Sequence, residues 1–225
     1  MDDFVDPILL DLDRYAIGQP VPRSEDPVLV SGKGRFTDDV NLPGQAYCAI
    51  VRSHYAHGTI GGIDTAAACG MPGLLGVYTP ADLGAGGIGP LPPRQIMNNR
   101  DGTPMLSPTR YALATGKVRY VGDPIAAVVA ETGAQAKDAA EAVLVDIDPL
   151  PAVTSPREAA AAGAPQLYDD VPGNVGLDFH YGDSEKVAAA FAAAAHVTRL
   201  ELRNNRIVVN AMEPRAGLAE YEPQR

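Results

Sequence analysis

Cysteine is nearly absent. Cys48 and Cys69 are the only two in 225 residues, with no Cys-x-x-Cys and no clustered set of four. The chain cannot ligate an iron–sulfur cluster from its own side chains, and two isolated cysteines suit reduced thiols better than a disulfide framework. Long apolar runs are missing too. No stretch approaches the ~20 residues needed to cross a bilayer. Basic residues are outnumbered, 18 Lys and Arg against 28 Asp and Glu, for a net charge of −10. That balance leaves no basic footprint for nucleic acid or an anionic membrane, and the acidity serves solubility. The N-terminus, Met-Asp-Asp-Phe-Val-Asp-Pro, is acidic where a secretory signal starts basic, so a cytoplasmic site is expected.

What is present is the composition of a globular protein, 46% hydrophobic and 20% charged, long enough for one large or two small domains. Residues 117–153 are the most informative. Val118–Val121 is β-prone, and Gly122-Asp123-Pro124 is a turn. Ile125–Ala130 is an apolar run of strand length without alternating charges, which predicts a central strand. Thr132 stands three residues before Gln135, the spacing of a capping box, so a helix should begin there. Ala136, Ala139, Ala140 and Val143 form an i, i+3, i+4, i+7 stripe for that helix to lay on a sheet. Leu144–Ile147 reads as a returning strand ended by Pro149 and Pro151. Strand, helix and strand together predict a parallel pair joined by a right-handed crossover, hence a mixed sheet.

Elsewhere the patterns divide the chain into an extended arm (1–29), a domain (30–153), a Pro/Ala/Gly-rich linker (154–174) and the beginning of a second domain (175–225). Gln45–Ile60 reads as one strand and Gly73–Tyr78 as another. Thr79 and Pro80 open a single helical turn as N-cap and first helical residue. Residues 84–110 form a long loop, of the length that is usually functional or docked on something. Pro156–Ala162 reads as a short helix. Asp183 caps a helix with apolar positions Val187, Ala190, Phe191, Ala194 and Ala195, and His196–Val209 and Ala216–Tyr221 read as strands. Two strands and a helix leave an apolar face uncovered, so residues 175–225 are expected to need more polypeptide.

Three local patterns suggest chemistry that their context does not support. Gly84-Ala85-Gly86-Gly87-Ile88-Gly89 matches G-x-G-x-x-G, but Pro90, Pro92 and Pro93 follow, and no helix can continue to present amides to a pyrophosphate. His54 and His57 are spaced like metal ligands, yet positions i and i+3 of a strand face opposite sides and no further ligand completes the set. Ser53 beside His54 lacks a nucleophile elbow. Structural or partner-facing histidines are the better expectation.

Four segments, in order, resemble molybdenum hydroxylase large subunits, the family of xanthine dehydrogenase, aldehyde oxidase and carbon monoxide dehydrogenase. Val-Gly-Asp-Pro-Ile-Ala-Ala-Val-Val-Ala at 121–130, with the alanine-rich helix and Val-Asp-Ile-Asp-Pro-Leu-Pro-Ala-Val at 145–153, resembles the first, a/b hammerhead domain of that family. Arg23-Ser24-Glu25-Asp26-Pro27 followed by Gly32-Lys33-Gly34-Arg35-Phe36-Thr37-Asp38-Asp39 resembles its opening segment. Val51-Arg52-Ser53-His54-Tyr55-Ala56-His57 resembles its first strand, and Met212-Glu213-Pro214-Arg215-Ala216 the start of the molybdopterin-binding domain. The resemblance implies an α/β (α+β) hammerhead domain followed by an incomplete α+β domain.

It also implies an activity: hydroxylation of an aldehyde or N-heterocycle, or oxidation of CO, at a molybdenum–molybdopterin centre with water as the oxygen source. Electrons would leave through iron–sulfur clusters on a small subunit to FAD on a medium subunit or to another acceptor. The usual cofactor loop Gly-Gly-Gly-Phe-Gly and the Gly-x-Gly-Glu carrying the catalytic base do not occur here. No catalytic residue and no metal ligand are therefore expected within the chain, and Glu213 is not the base. The resemblance places Asn205, Arg206, Glu213 and Arg215 in the vicinity of the cofactor, with Ile207 where the family often has a Gln that bonds it. The expectation is the N-terminal part of a large subunit, inactive alone. The alternative is a short non-catalytic subunit that docks the iron–sulfur protein and completes a separately encoded catalytic half.

Overall fold

A computed structural model of the chain describes residues 22–205, 207–211 and 213–222. Gly44–Glu201 form one unit; Met1–Pro43 and Leu202–Arg225 are grouped as a second. Most of the expected arm, 1–21, lies outside the described residues. Its end forms the short helix α1 (Asp26–Val30), where Arg23 Nε meets Asp26 Oδ1 at 3.0 Å.

The larger unit contains two three-stranded sheets. In the first, β5 (Pro124–Ala130) lies between β1 (Tyr47–Arg52) and β3 (Leu74–Tyr78). In the second, β2 (Gly58–Asp64) lies between β4 (Lys117–Val118) and β6 (Leu144–Pro149). Short helices α2 (Ala66–Cys69) and α3 (Pro80–Ala85) flank β3, and α4 (Gly133–Glu141) follows β5.

The unbroken apolar run makes β5 the middle strand, as the sequence predicts. Ile125, Ala126 and Val128 are fully buried, and burying an isoleucine contributes about 1.5–3 kcal/mol. Val128 packs with Ala68, Ala139 and Val143, while Ile125 packs with Ala114 and Val118, so both faces of the strand are used. The α4 stripe is seen as expected: Ala136 and Ala139 are buried, and small side chains let the helix approach β1 and β5 closely. Thr132 caps it, accepting from the Gln135 amide at 3.3 Å. Thr79 caps α3, with its amide and hydroxyl both donating to Asp82 at 2.7 Å.

Two expectations are corrected. Among the described residues every strand pairing is antiparallel, and β6 pairs with β2 in the other sheet rather than parallel to β5. Both edges of β5 are already occupied by β1 and β3, so α4 carries the chain from one sheet to the next. The single strand expected over Gln45–Ile60 is broken at residues 53–57, and its halves β1 and β2 belong to different sheets. Strands that change sheet at a bend make corners of this kind. Gly58 is required just beyond the bend: a Cβ there would stand 2.5 Å from Ile147 Cγ2 and 2.9 Å from the Asp148 carbonyl.

After β6, residues 150–178 run back over this unit. Ser155 caps α5 (Pro156–Ala159), shorter than the expected helix. Asn174, at φ +58°, holds the segment with three side-chain bonds, each 2.9 Å: from the Leu167 amide and to the Ala159 and Pro165 carbonyls. Arg119 donates to the Leu167 carbonyl at 2.8 Å and lies 4.4 Å over the Tyr168 ring. Asp183 caps α6 (Ser184–Ala193) as expected, accepting from the Lys186 amide at 3.0 Å. Its Val187 and Phe191 are exposed. The strands expected over His196–Val209 and Ala216–Tyr221 are absent among the described residues, which are irregular and exposed there. A strand is held by a ladder to a neighbour, and no described segment supplies that edge. No described helix is long and apolar enough to cross a membrane.

Two substitutions test this packing. Val128→Asp should unfold the larger unit, since an unpaired buried carboxylate costs more than about 4 kcal/mol of a typical stability of 5–15 kcal/mol. Half-buried Val129→Asp should cost less, and equal or unchanged melting temperatures would contradict this description. Asn174→Ala should cost about 2–4 kcal/mol, from lost hydrogen bonds and a left-handed backbone. Asn174→Gly should recover only the backbone part, and a melting temperature unchanged in both would show the anchor to be unimportant.

Candidate functional site

The histidine-bearing segment forms the corner between the two sheets. Ser53 is 3% exposed; its hydroxyl donates to the Tyr55 carbonyl at 2.8 Å and accepts from the Tyr55 amide at 3.0 Å. Its backbone exchanges bonds with the turn before β5, Ser53 N to Asp123 O at 2.9 Å and Gly122 N to Ser53 O at 2.8 Å. Arg52 reaches the Gly122 carbonyl at 2.9 Å. The serine hydroxyl is thus committed to the turn and cannot serve as a nucleophile for His54, which is exposed. His57 is buried, with Nδ1 2.8 Å from the Pro151 carbonyl. A carbonyl only accepts, so Nδ1 carries the proton; Nε2 is buried with no hydrogen-bond partner among the described residues. Burial, then the Asp123 carboxylate, raises the neighbouring Tyr120 hydroxyl above the ordinary tyrosine range.

Surface hollows among the described residues of the larger unit include the following two. One, of about 440 Å³, is bounded by Ile60, Ile63, Thr79, Pro80, Ala114 and Thr115. None of its lining side chains titrates near neutrality, so it offers packing and no acid–base chemistry. The other, of about 350 Å³, is bounded by Asn99, Arg100, Asp101, Val175 and Asp178. Its cation is already engaged, Arg100 lying 3.4 Å from Asp178. The glycine run 84–89 begins in the last turn of helix α3 and continues past its C-terminus, with Gly86 N bonded to Asp82 O at 2.9 Å. Those glycines face the carbonyl end of a helix, the wrong pole for a phosphate, as the sequence context implies.

Of the four residues the resemblance places near a cofactor, Asn205, Glu213 and Arg215 are exposed on irregular backbone, and Arg206 lies outside the described residues, as does Met212. Among the described residues no three His, Cys, Asp or Glu side chains gather into a group that could hold a metal ion.

The long loop, by contrast, is an ordered structure that the sequence showed only as missing periodicity. It spans the gap between Ala85 and Lys117, with short antiparallel bridges Leu91–Arg110 and Asn98–Pro104. Asp101 accepts from the Thr103 hydroxyl and amide at 2.6 and 2.9 Å, and Asp170 accepts from the Thr109 amide and hydroxyl at 3.1 and 3.2 Å. These bonds hold both carboxyls below the usual aspartate range, the Thr103 hydroxyl contributing most at Asp101 and the Thr109 amide most at Asp170. A depressed folded-state pKa stabilises above the unfolded value and ceases to do so as pH falls through the folded one. Acidification below about 3.9, the ordinary Asp value, should therefore loosen the loop. Hydrogen exchange at matched intrinsic rates should show residues 97–110 losing protection before β5. Simultaneous loss would contradict a locally anchored loop.

Residues 31–151 match the profile of the family described as aldehyde oxidase and xanthine dehydrogenase, a/b hammerhead domain. The chain is 38% identical over 213 residues to the nicotine 6-hydroxylase large subunit of Paenarthrobacter nicotinovorans, covering 93% of this chain and 25% of that protein. It is 33% identical over 203 residues to the carbon monoxide dehydrogenase large chain of Afipia carboxidovorans, covering 85% and 24%. A crystal structure of Cu,Mo-CO dehydrogenase superposes with a TM-score of 0.59 at 34% identity, covering 78% of this chain and 22% of that one. The chain thus spans about a quarter of the length of these relatives. With two small sheets and short helices arranged as in that structure, the chain belongs to the aldehyde oxidase and xanthine dehydrogenase family through its a/b hammerhead domain.

Proposed function

We infer that this chain is the N-terminal part of the large subunit of a molybdopterin-dependent oxidoreductase. The observation that carries the reading is the 38% identity to a hydroxylase large subunit across 93% of this chain. Within such an enzyme the hammerhead is a rigid body, its two sheets clamped at the Ser53 corner, and residues 175–222 lead from it towards the cofactor-bearing domains. Bound elsewhere in the subunit, the molybdenum cofactor would supply oxidation of an aldehyde, an N-heterocycle or CO with water as the oxygen source. The role of this chain is positional. The exposed stretch holding Asn205, Glu213 and Arg215, with neighbouring Arg206, would line the approach to that cofactor once the remaining large-subunit domains are present. Electrons would pass to iron–sulfur clusters on a small subunit and on to FAD on a medium subunit, since the two cysteines here cannot hold a cluster.

The test compares this polypeptide alone with the assembly containing it. Molybdenum analysis of the tagged assembly should give about one metal per large subunit, with oxidation of aldehydes, N-heterocycles or CO. The isolated 225-residue chain should hold none and be inactive. Stoichiometric molybdenum in the isolated chain, or none in an intact assembly, would overturn the reading.

A further inference from the structure

The long loop and the segment beyond β6 meet along a seam, running in opposite directions. As the chain passes from Asn99 to Arg119, its partners run from Asp178 back to Leu167. Asn99 Oδ1 accepts from the Asp178 amide at 2.9 Å, and the Arg100 amide donates to the Asp178 carbonyl at 2.8 Å. The Leu106 amide donates to the Gly176 carbonyl at 2.8 Å, and the Thr109 amide to Asp170 Oδ2 at 3.1 Å. Lys117 Nζ lies 3.0 Å from Asp169, and Arg119 Nε donates to the Leu167 carbonyl at 2.8 Å. At Gly176 the two backbones come so close that a Cβ would stand 2.9 Å from the Leu106 carbonyl oxygen.

Among the described residues neither 97–110 nor 165–178 pairs with either sheet. Each takes much of its order from the other, and segments ordered in that way open together. The contacts differ in weight. Arg100–Asp178 and Lys117–Asp169 involve exposed carboxylates, and such pairs contribute little. Arg119 is half-buried and spends its guanidinium on three partners: the Leu167 carbonyl, the Lys117 carbonyl at 3.2 Å and the Tyr168 ring. A charged donor held away from bulk water contributes more than a surface pair. The Arg119 amide donates to Asp123 in the corner, so this one residue joins the corner to the seam. Beyond Asp178 every residue to Glu201 is exposed, and the course of that stretch starts from the last fastening of the seam.

We propose that residues 165–178 and the loop form one strap that sets where the chain leaves the larger unit, with Arg119 as the positioning residue at its root. The proposal rests on the reading of this chain as part of a large subunit in which the stretch beyond Asp178 leads to the cofactor-bearing domains. Hydrogen exchange of the tagged, assembled enzyme tests it. In Arg119→Ala the amides of Arg100, Leu106, Thr109 and Asp178, all bonded across the seam, should exchange roughly tenfold faster and by a common factor. Residues 179–201 should speed up with them, while Ile125–Ala130 stays within about twofold. Gly176→Ala, at the opposite end of the strap, should give the same pattern. Arg119→Lys, which keeps a charged donor, should restore most of the protection. Faster exchange in the loop with 179–201 unchanged overturns the proposal, as does equal loss in Ile125–Ala130. Unchanged exchange in both alanine variants also overturns it. In an assembly that holds its molybdenum these outcomes count against the strap alone. A wild-type assembly without molybdenum overturns the reading on which the strap rests.

Discussion

Between Arg52 and Gly58 the chain leaves one sheet and enters the other, and between Val118 and Pro124 it makes the reverse change. The two bends are bonded to each other through Ser53 N to Asp123 O, Gly122 N to Ser53 O and Arg52 Nη1 to Gly122 O. Gly122 is at φ +91°, a conformation that favours glycine, and Asp123 closes its own turn by accepting from the Arg119 amide at 3.0 Å. Because β5 fills the middle of one sheet and β2 the middle of the other, this clamp decides how the hydrophobic clusters meet. Ile63 and Val145 touch both clusters, so neither sheet packs independently of the other.

The parts of this arrangement visible in the sequence were those set by local chemistry. Ile125–Ala130 is apolar on both faces and can only be interior; Thr132 and Asp183 announce a helix start by the backbone donors they satisfy, and Thr79 by the Asp82 carboxylate that accepts from its amide. Which strands pair is a different kind of information. Nothing in Leu144–Pro149 says that its partner is β2, because that follows from both edges of β5 being taken. Nor does Gln45–Ile60 show its break: Ser53 and His57 look like half-buried strand residues until Ser53 turns back on Tyr55. His196–Val209 shows the opposite failure. Its composition suits a strand, yet a strand exists only beside another, and none is described there.

The functional reading was legible through wording rather than through a site. Ordered motifs such as Val-Gly-Asp-Pro-Ile-Ala-Ala-Val-Val-Ala encode the clamp and the core strand, so their resemblance to molybdenum hydroxylases follows from a shared scaffold. Ser53 and His57 are spent on internal bonds, and neither hollow gathers a reactive set of side chains. Under the proposed function this stretch contributes by holding other parts of the enzyme in place, which makes rigidity at the corner the property that matters.

The corner is the claim on which the others rest, and native-state hydrogen exchange of the full chain with and without Gly122→Ala tests it directly. A Cβ at Gly122 meets no atom within 4 Å, so the substitution strains the backbone without a clash. If the clamp joins the sheets, amides of Ile125–Ala130 and of Thr59–Ile63 should lose protection by the same factor. Loss confined to one sheet, or unchanged protection in both, would show that the two sheets are stabilised separately and that the corner does not couple them.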